Sequence, residues 1–318
     1  MAQLTGAQAR IVDPVLTQIA QGFKQSGFVG SALFPTVPVG MRAGKIITFG
    51  REDFMLYSTA RAPGEKTGRV QFGYAGGNFA LVDYSLEGGL PIEIQQEAQA
   101  GNNGFSIDAA AMTIMKTQAA MALRLEKAQA DLATTAGNYQ AANKVTLSGT
   151  SQWSDFTNGV SDPIAAIETG KEAIRAAVGK RGNTVVMGAA VASKVRQHPK
   201  IVDRIKYTGR DVATPELLAN LFGVDRVLVG DAIYSNDAGT AFTDVWGKFC
   251  VVAYTETASV PDMGAPSFGY TYNLGGYPIV EQPYFDRNSK SWYFPVTRAE
   301  APVIAGANAG YLISAAVA

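Results

Sequence analysis

The chain has one histidine and one cysteine, His198 and Cys250, in 318 residues, and this narrows its possible chemistry. One Cys and one His cannot build a zinc site of the usual kind. A Ser-His-Asp triad would have to use His198, which sits in the segment RQHPK. Termination of a helix before Pro199 explains that histidine more simply. Cys250, flanked by Phe249, Val251 and Val252, reads as a buried strand residue. As the lone cysteine it forms no intrachain disulfide, which fits a reducing cytoplasm. Gly40–Lys45 (GMRAGK) superficially resembles a phosphate loop. Its glycine spacing is one residue short, and Ile46 stands where Ser or Thr would ligate magnesium. No G-x-G-x-x-G follows an expected strand, and there is no G-x-S-x-G elbow. Asp231, Asp237 and Asp244 fall in or near a Gly/Asn-rich turn region with no calcium-loop spacing, so they read as a solvated loop. Met112, Met115 and Met121 would suit a methionine-lined channel, but ordinary core packing accounts for them better. Lys66, on a projecting loop, could form an isopeptide bond with an Asn of a neighbouring chain. No partner Asn or base is identifiable, and surface lysines are commonplace.

The elements that would carry these residues are unevenly distributed. Residues 1–42 are thinly apolar and interrupted by Gly22, Gly27, Gly30, Pro35, Pro38 and Gly40. Ile11, Val12, Val15, Leu16 and Ile19 have helical spacing. Phe23, Phe28, Leu33 and Phe34 follow without periodicity. This stretch is either a mobile tail or an arm whose aromatics sit in grooves of adjacent subunits. The arm is favoured, because large apolar groups in a free tail invite aggregation. Residues 45–49 (KIITF), the alternation Val70, Phe72, Tyr74 and the run Ala80, Val82, Tyr84, Leu86 have strand period. Between them lies a polar stretch, Arg51 to Arg69, with mixed charges. Residues 43–88 thus read as a two-stranded projection, which is marginal in water by itself and needs a surface to lie on.

From Ser106 to about Thr135 there is neither Gly nor Pro, and a single long helix is expected, with Ser106 as N-cap and Asp108 in its first turn. Residues 144–160 read as a strand and an exposed turn. Asp162 and Pro163 then open a helix ending at Gly179, followed by a strand at Thr184–Met187, a helix through Val195, a helix from Thr214–Pro215 to Gly223, and strands at Val227–Val229 and Phe249–Tyr254. This alternation predicts a compact α/β unit over about 155–261. The rest is strand-rich again and expects the long helix as its partner layer.

Composition is consistent with a shared surface. Hydrophobic residues make up 47% and charged ones 17%, which is poor in charge for a monomer. Basic and acidic residues balance at 27 each, so strong direct binding to phosphates is disfavoured. No stretch approaches the length of a membrane span, and no basic segment followed by an apolar run marks a secretory signal.

Several segments together resemble the major capsid proteins of tailed bacteriophages. They are DPVLTQIAQGFKQSGFVGSALFPTVPV (13–39), REDFMLYSTARAPG (51–64), VTLSGTSQWSD (145–155), HPKIVDRIKYT (198–208), ELLANLFGVDRVLVGDAIY (216–234), DVWGK (244–248) and GAPSFGYTY (264–272). The resemblance implies an α+β fold, the tailed-phage major capsid fold that encapsulins share. Its N-terminal arm would be residues 1–42 and its extended β-hairpin loop 43–88. Residues 89–152 and 262–318 would form a peripheral domain with a long spine helix, and 153–261 an inserted α/β axial domain. It further implies hexamers and pentamers of an icosahedral head enclosing double-stranded DNA without sequence-specific binding. Such a chain would be a virion protein assembled in the bacterial host cytoplasm, with no catalytic, cofactor or metal residues. Expected partners are copies of itself, a portal protein, a scaffolding protein supplied separately (no cleaved scaffolding segment fits before the arm) and a decoration protein. Phe23, Phe28, Phe34, Arg61, Glu65, Lys66 and Arg69 are the expected inter-subunit residues. The alternatives are a related shell around protein cargo and an α/β enzyme with a β-rich appendage.

Overall fold

A computed structural model describes residues 27–46, 56, 60, 66, 77–100, 109–206, 213–235, 241–256 and 267–318. The chain enters through a short helix, α1 (Gly30–Leu33), and the strands β1 (Thr36–Val39), β2 (Ala43–Lys45), β3 (Asn78–Ala80) and β4 (Val82–Pro91). Helix α2 (Ile92–Ala100) and the long α3 (Ala109–Thr134) follow, then β5 (Lys144–Thr146). Next come α4 (Pro163–Val178), β6 (Thr184–Gly188), α5 (Ala189–Gln197), α6 (Pro199–Ile205), α7 (Pro215–Phe222), β7 (Arg226–Gly230), β8 (Ile233–Ser235), β9 (Phe242–Asp244) and β10 (Cys250–Ala253). The chain closes with β11 (Gly269–Leu274), β12 (Ile279–Val280), β13 (Tyr284–Asp286), β14 (Ser291–Ile304) and β15 (Gly310–Ser314).

The long helix forms as its Gly/Pro-free sequence predicts. Its 26 described residues span about 39 Å at the standard rise. The expected cap Ser106 and Asp108 lie outside the described residues. Helix α4 has the signals read from sequence: the Asp162 carboxylate accepts from Ala165 N, Pro163 opens the first turn, and Gly179 closes the helix at φ +73°, a left-handed conformation that suits glycine.

Two sheets divide the molecule. In the six-stranded sheet, β14 is central. On one side it pairs antiparallel with β4 from Ser291↔Pro91 to Glu300↔Val82. On its other side it pairs with β11, β12 and β13. Helix α3 lies on this sheet, and Leu90, Ile114, Met121, Val280, Phe294 and Val296 form the core between them. The partner layer expected for the C-terminal strands is therefore the long helix.

The five-stranded sheet has the order β5-β15-β10-β6-β7. Alternate residues of its strands face opposite ways. Val185, Met187, Cys250, Val252, Tyr311 and Ile313 enter a core with Ile167, Ile174, Val191, Ile201 and Leu218. Val186, Val251, Ala253 and Leu312 enter a second core with Phe34, Ala130, Trp246 and Phe268. Burial pushes the Cys250 thiol up to about 12, so it stays protonated.

This topology corrects two expectations. The α/β unit was expected to end near residue 261, yet β15, at the C-terminal end, pairs with β10 from Cys250↔Ile313 to Ala253↔Gly310. β5, expected to belong to the other unit, pairs with β15. Nothing local marks β15 as belonging to this sheet, because its apolar run would suit either one. The exposed turn expected within 144–160 also contains a fully buried residue, Trp153, whose amide donates to Ala316 O at 2.7 Å.

Candidate inter-subunit surface

Helix α3 is alanine-rich, and the stripe it buries includes polar residues: Thr117, Gln118, Glu126 and Gln129 accompany Ile114, Met121, Ala130 and Ala133. Glu126 is the centre of this stripe. Its Oε1 accepts from the amides of Val29 and Gly30, each at 3.0 Å, and Oε2 accepts from Gly30 N at 2.9 Å. Trp246 Nε1, from the α/β unit, donates to Oε1 at 2.7 Å. One buried carboxylate thus joins the entering chain, the long helix and the second core. A carboxylate buried without a cation is tolerable only when such donors satisfy it.

The entering chain is held at further points. Gln129 Nε2 donates to Thr271 Oγ1 at 2.8 Å, and that hydroxyl donates to Phe34 O at 3.2 Å. Thr271 N donates to Pro35 O at 2.9 Å, and β1 continues as a parallel neighbour of β11. Arg226 donates to Ala32 O at 3.4 Å. Gly30 permits this close passage: a Cβ there would stand 2.2 Å from Gln129 Oε1 and 2.8 Å from Glu126 Oε2. Within the stretch expected to be an arm as far as residue 42, residues 29–39 are therefore bonded to the chain's own body.

The expected inter-subunit residues fare differently. Phe34 is fully buried, with its ring centroid 5.5 Å from that of Phe268. This corrects its assignment, because it has no surface left to offer a neighbour. Aromatics spaced by glycines gave no sign of which ones the chain's own core would take. Phe28 is half-buried against the second core, and Lys66 is exposed. Phe23, Arg61, Glu65 and Arg69 lie outside the described residues, as do the expected helix at 11–19 and the strand at 70–74.

The root of the expected projection is described. β2 and β3 pair antiparallel from Ala43↔Ala80 to Lys45↔Asn78. Phe79 stacks on Tyr272 at 4.3 Å between centroids, and Arg42 bridges Asp83 at 2.7 Å. The base of the expected projection is thus fastened to the six-stranded sheet.

A second, partly buried charge layer lies between α3 and β14. Arg124 pairs with Glu300 at 2.5 Å and covers the Tyr84 ring at 3.3 Å. Arg298 donates to Gln118 Oε1 at 3.1 Å and lies 3.7 Å from Glu300. Burial lowers the Arg298 pKa, with Glu300 opposing and Arg124 adding to the shift. Sequence reading missed Glu126, Gln129, Trp246, Arg124, Arg298 and Glu300. The available signal was the Glu126–Gln129 pair, one turn apart among alanines.

The residues weighed for catalysis are not assembled. His198 is buried between Ser161 Oγ, 3.1 Å from Nε2, and Lys200 N, which donates to Nδ1 at 3.3 Å. The polar segment around it suggested a more open site, but Phe156 stands edge-on over the ring at 5.7 Å. Its pKa is lowered, chiefly by burial. Among the described residues no group of three or more His, Cys, Asp or Glu could hold a metal ion. Asp231 and Asp244 are exposed on β8–β9 and its approach, and Asp237 lies outside the described residues. Met121 is core, whereas Met112 and Met115 are exposed, so the core reading holds for only one of the three methionines. Among the described residues no helix is long and apolar enough to cross a membrane.

Residues 118–265 match the family described as phage major capsid protein E. The chain is 38% identical over 312 residues to the major capsid protein of Burkholderia phage BcepMu, covering 97% of each. Its structure is similar to the crystal structure of a phage-related protein from Bordetella bronchiseptica RB50, with TM-score 0.82, 38% identity and coverage of 97% of this chain and 99% of the other. It also shares its fold with a chain from the capsid of cyanophage P-SCSP1u, with TM-score 0.58, 10% identity and coverage of 99% and 92%. A buried polar clamp holding the entering chain, a long helix across one sheet and an α/β unit closed by the C-terminal strand are thus the form that this sequence gives to a shared design, and the chain belongs to the major capsid proteins of bacteriophages.

Proposed function

We propose that this chain is the structural shell subunit of a phage head, assembling through hexamers and pentamers into an icosahedral capsid around double-stranded DNA. The near full-length relationship to a phage major capsid protein carries this reading. The α/β units meet around the local five-fold and six-fold axes and the β-rich units meet at three-fold positions. The segment before Val29 and the projection rooted at β2–β3 reach neighbouring subunits. Phe23, Phe28, Arg61, Glu65, Lys66 and Arg69 make inter-subunit contacts there. Apolar burial supplies affinity at about 25 cal/mol per Å² before ordering costs, and the mixed charges set register. The chain performs no catalysis. It assembles in the host cytoplasm with a portal, a scaffolding protein and a decoration protein. Balanced charge suits a container, because a strongly basic wall would hold packaged DNA with steep salt dependence.

The test is electron microscopy of the expressed full chain, together with a variant lacking residues 52–68. Shells, or rings of five or six, from the full chain and none from the deletion are expected. Normal particles from the deletion would remove the projection from assembly. A full chain that stays monomeric under every condition would remove the shell reading. Protein cargo instead of DNA in native particles would make the shell a cellular compartment.

A further inference from the structure

The α/β unit exposes two apolar surfaces of opposite charge on opposite faces of its five-stranded sheet. The first is the β8–β9 ribbon. Ile233 pairs with Asp244 and Ser235 with Phe242. By strand alternation, Asp231, Ile233, Ser235, Phe242 and Asp244 share one face. All five are exposed, with Phe242 at 73% and Ile233 at 50%. The other face carries Ala232, Tyr234 and Val245, which pack into the second core with Trp246 and Phe34. The ribbon is thus fixed to the body on one side, and on the other it presents two large apolar side chains between two aspartates.

The second surface surrounds His198, on the side of the first core. Phe156 contacts the His198 ring. Lys200 Nζ holds Gly159 O at 3.0 Å and Asp162 at 3.1 Å. Val202 follows one helical turn after His198, its amide donating to His198 O. Val160 is 62% exposed and Val202 45%. The loop that carries Phe156 and Val160 is preformed: Asp155 accepts from Thr157 N, Thr157 Oγ1 and Asn158 Nδ2 at 2.7–2.9 Å. These bonds, the Thr157 hydroxyl first, hold the Asp155 carboxyl down at about 2. Helices α5 and α6 also expose Lys194, Arg196 and Arg204, Lys206 is exposed just after α6, and Asp203 is the one exposed acid on the two helices. Lys194, Arg196, Arg204, Asp231 and Asp244 have no ion pair among the described residues.

We infer that the β8–β9 face of one subunit docks on the Phe156–Val160–Val202 surface of the next, so that Asp231 and Asp244 meet the basic residues of α5 and α6. The occupant of each surface is a second copy of this chain. Each surface combines exposed apolar side chains with exposed charges mostly of one sign, the ingredients of a protein interface. A two-fold contact would set either surface against itself, aspartate to aspartate or arginine to arginine. Complementary charge instead selects a head-to-tail contact, and such contacts close into rings when the rotation permits. This inference rests on the shell reading and specifies which surfaces join subunits within a ring.

The test uses two full-length variants. Variant one carries Asp231→Lys and Asp244→Lys, so both its surfaces are basic. Variant two carries Arg196→Glu and Arg204→Glu, which makes its second surface acidic like its first. All four positions are exposed, and thermal melts should match the unaltered chain. Each variant alone should need at least about tenfold more protein to form rings or particles, because like charges then face each other. An equimolar mixture should recover assembly, since alternating subunits restore attraction at every joint. It should give six-membered rings in preference to five-membered ones, because an odd ring leaves one repelling joint. Either variant assembling alone as well as the unaltered chain would overturn the inference and leave the shell reading in place. A mixture that stays as defective as its components would overturn it too. An unaltered chain that never assembles would instead take away the shell reading on which the inference stands.

Discussion

The indole of Trp246 donates to Glu126 Oε1 at 2.7 Å, across 120 positions of sequence. The same oxygen receives the Val29 and Gly30 amides. Trp246 is itself buried in the core that takes Phe34 and Phe268. The α/β unit, the long helix and the entering chain therefore share one acceptor.

Replacing that acceptor should loosen all three at once. Glu126→Gln keeps the shape but removes the charge and turns an NH2 toward a backbone N–H. Hydrogen bonds to charged groups are worth about 1.5–3 kcal/mol each, so a loss of about 2 kcal/mol or more from the unassembled subunit is expected in urea unfolding. Hydrogen exchange at Val29 and Gly30 should accelerate together. Unchanged protection of both amides in Glu126→Gln would show that the carboxylate does not hold the entering chain.

Gly30→Ala tests the same clamp sterically. A methyl at 2.2 Å from Gln129 Oε1 and 2.8 Å from Glu126 Oε2 must displace either the two side chains or the segment. Helix propensity by itself would favour alanine by about 1 kcal/mol, so the two effects have opposite signs. Net destabilisation with faster proteolysis within residues 27–39 is expected. A more stable variant would show that the neighbouring side chains give way freely.

What the sequence disclosed follows from how local each signal is. The bounds of α4 were legible because Asp162, Pro163 and Gly179 act on adjacent backbone. The strands β6 and β10 were legible because burial on both faces makes them continuously apolar. The buried face of α3 was not. Its leucines Leu125 and Leu132 are only half-buried, whereas Glu126 and Gln129 lie inside. A buried carboxylate is rare without a partner, and its partners here are two backbone amides, which have no residue-type signature, and the Trp246 indole 120 positions away. β15 was misplaced for a similar reason: only its pairing with β10 and β5 says which sheet it joins. Phe34 and Phe28 are alike in type and differ only in what the fold places over them.

That difference gives a paired prediction. Phe34→Ala removes a fully buried ring and should cost the subunit about 3–5 kcal/mol, seen as a lowered urea midpoint. Phe28→Ala removes a half-buried ring, so its effect on the unassembled subunit should be smaller. Its effect on assembly should be the larger of its two effects if Phe28 also touches a neighbour. Equal losses of subunit stability would place both rings in the same core.

The last prediction concerns acid. His198 Nδ1 accepts the Lys200 amide, so the neutral ring carries its proton on Nε2, aimed at Ser161 Oγ. Protonation at Nδ1 would put N–H against N–H and break the cap on α6. Burial lowers the pKa from its ordinary 6.5, with Asp162 opposing and Lys200 adding to the shift. The sign follows from proton counting. Below about pH 6.5 the unfolded chain takes up a proton that the folded chain refuses, so stability rises with pH in that window. The contribution is complete above 6.5 and is lost as pH falls through the window toward the folded value. His198→Asn keeps a cap acceptor for Lys200 N and removes the titration. Urea unfolding of the unassembled subunit between pH 5 and pH 7 should therefore give a steeper loss for the unaltered chain than for His198→Asn. Parallel curves would mean that the ring gains its proton in the folded subunit as readily as in the unfolded one, and that the cap on α6 survives it.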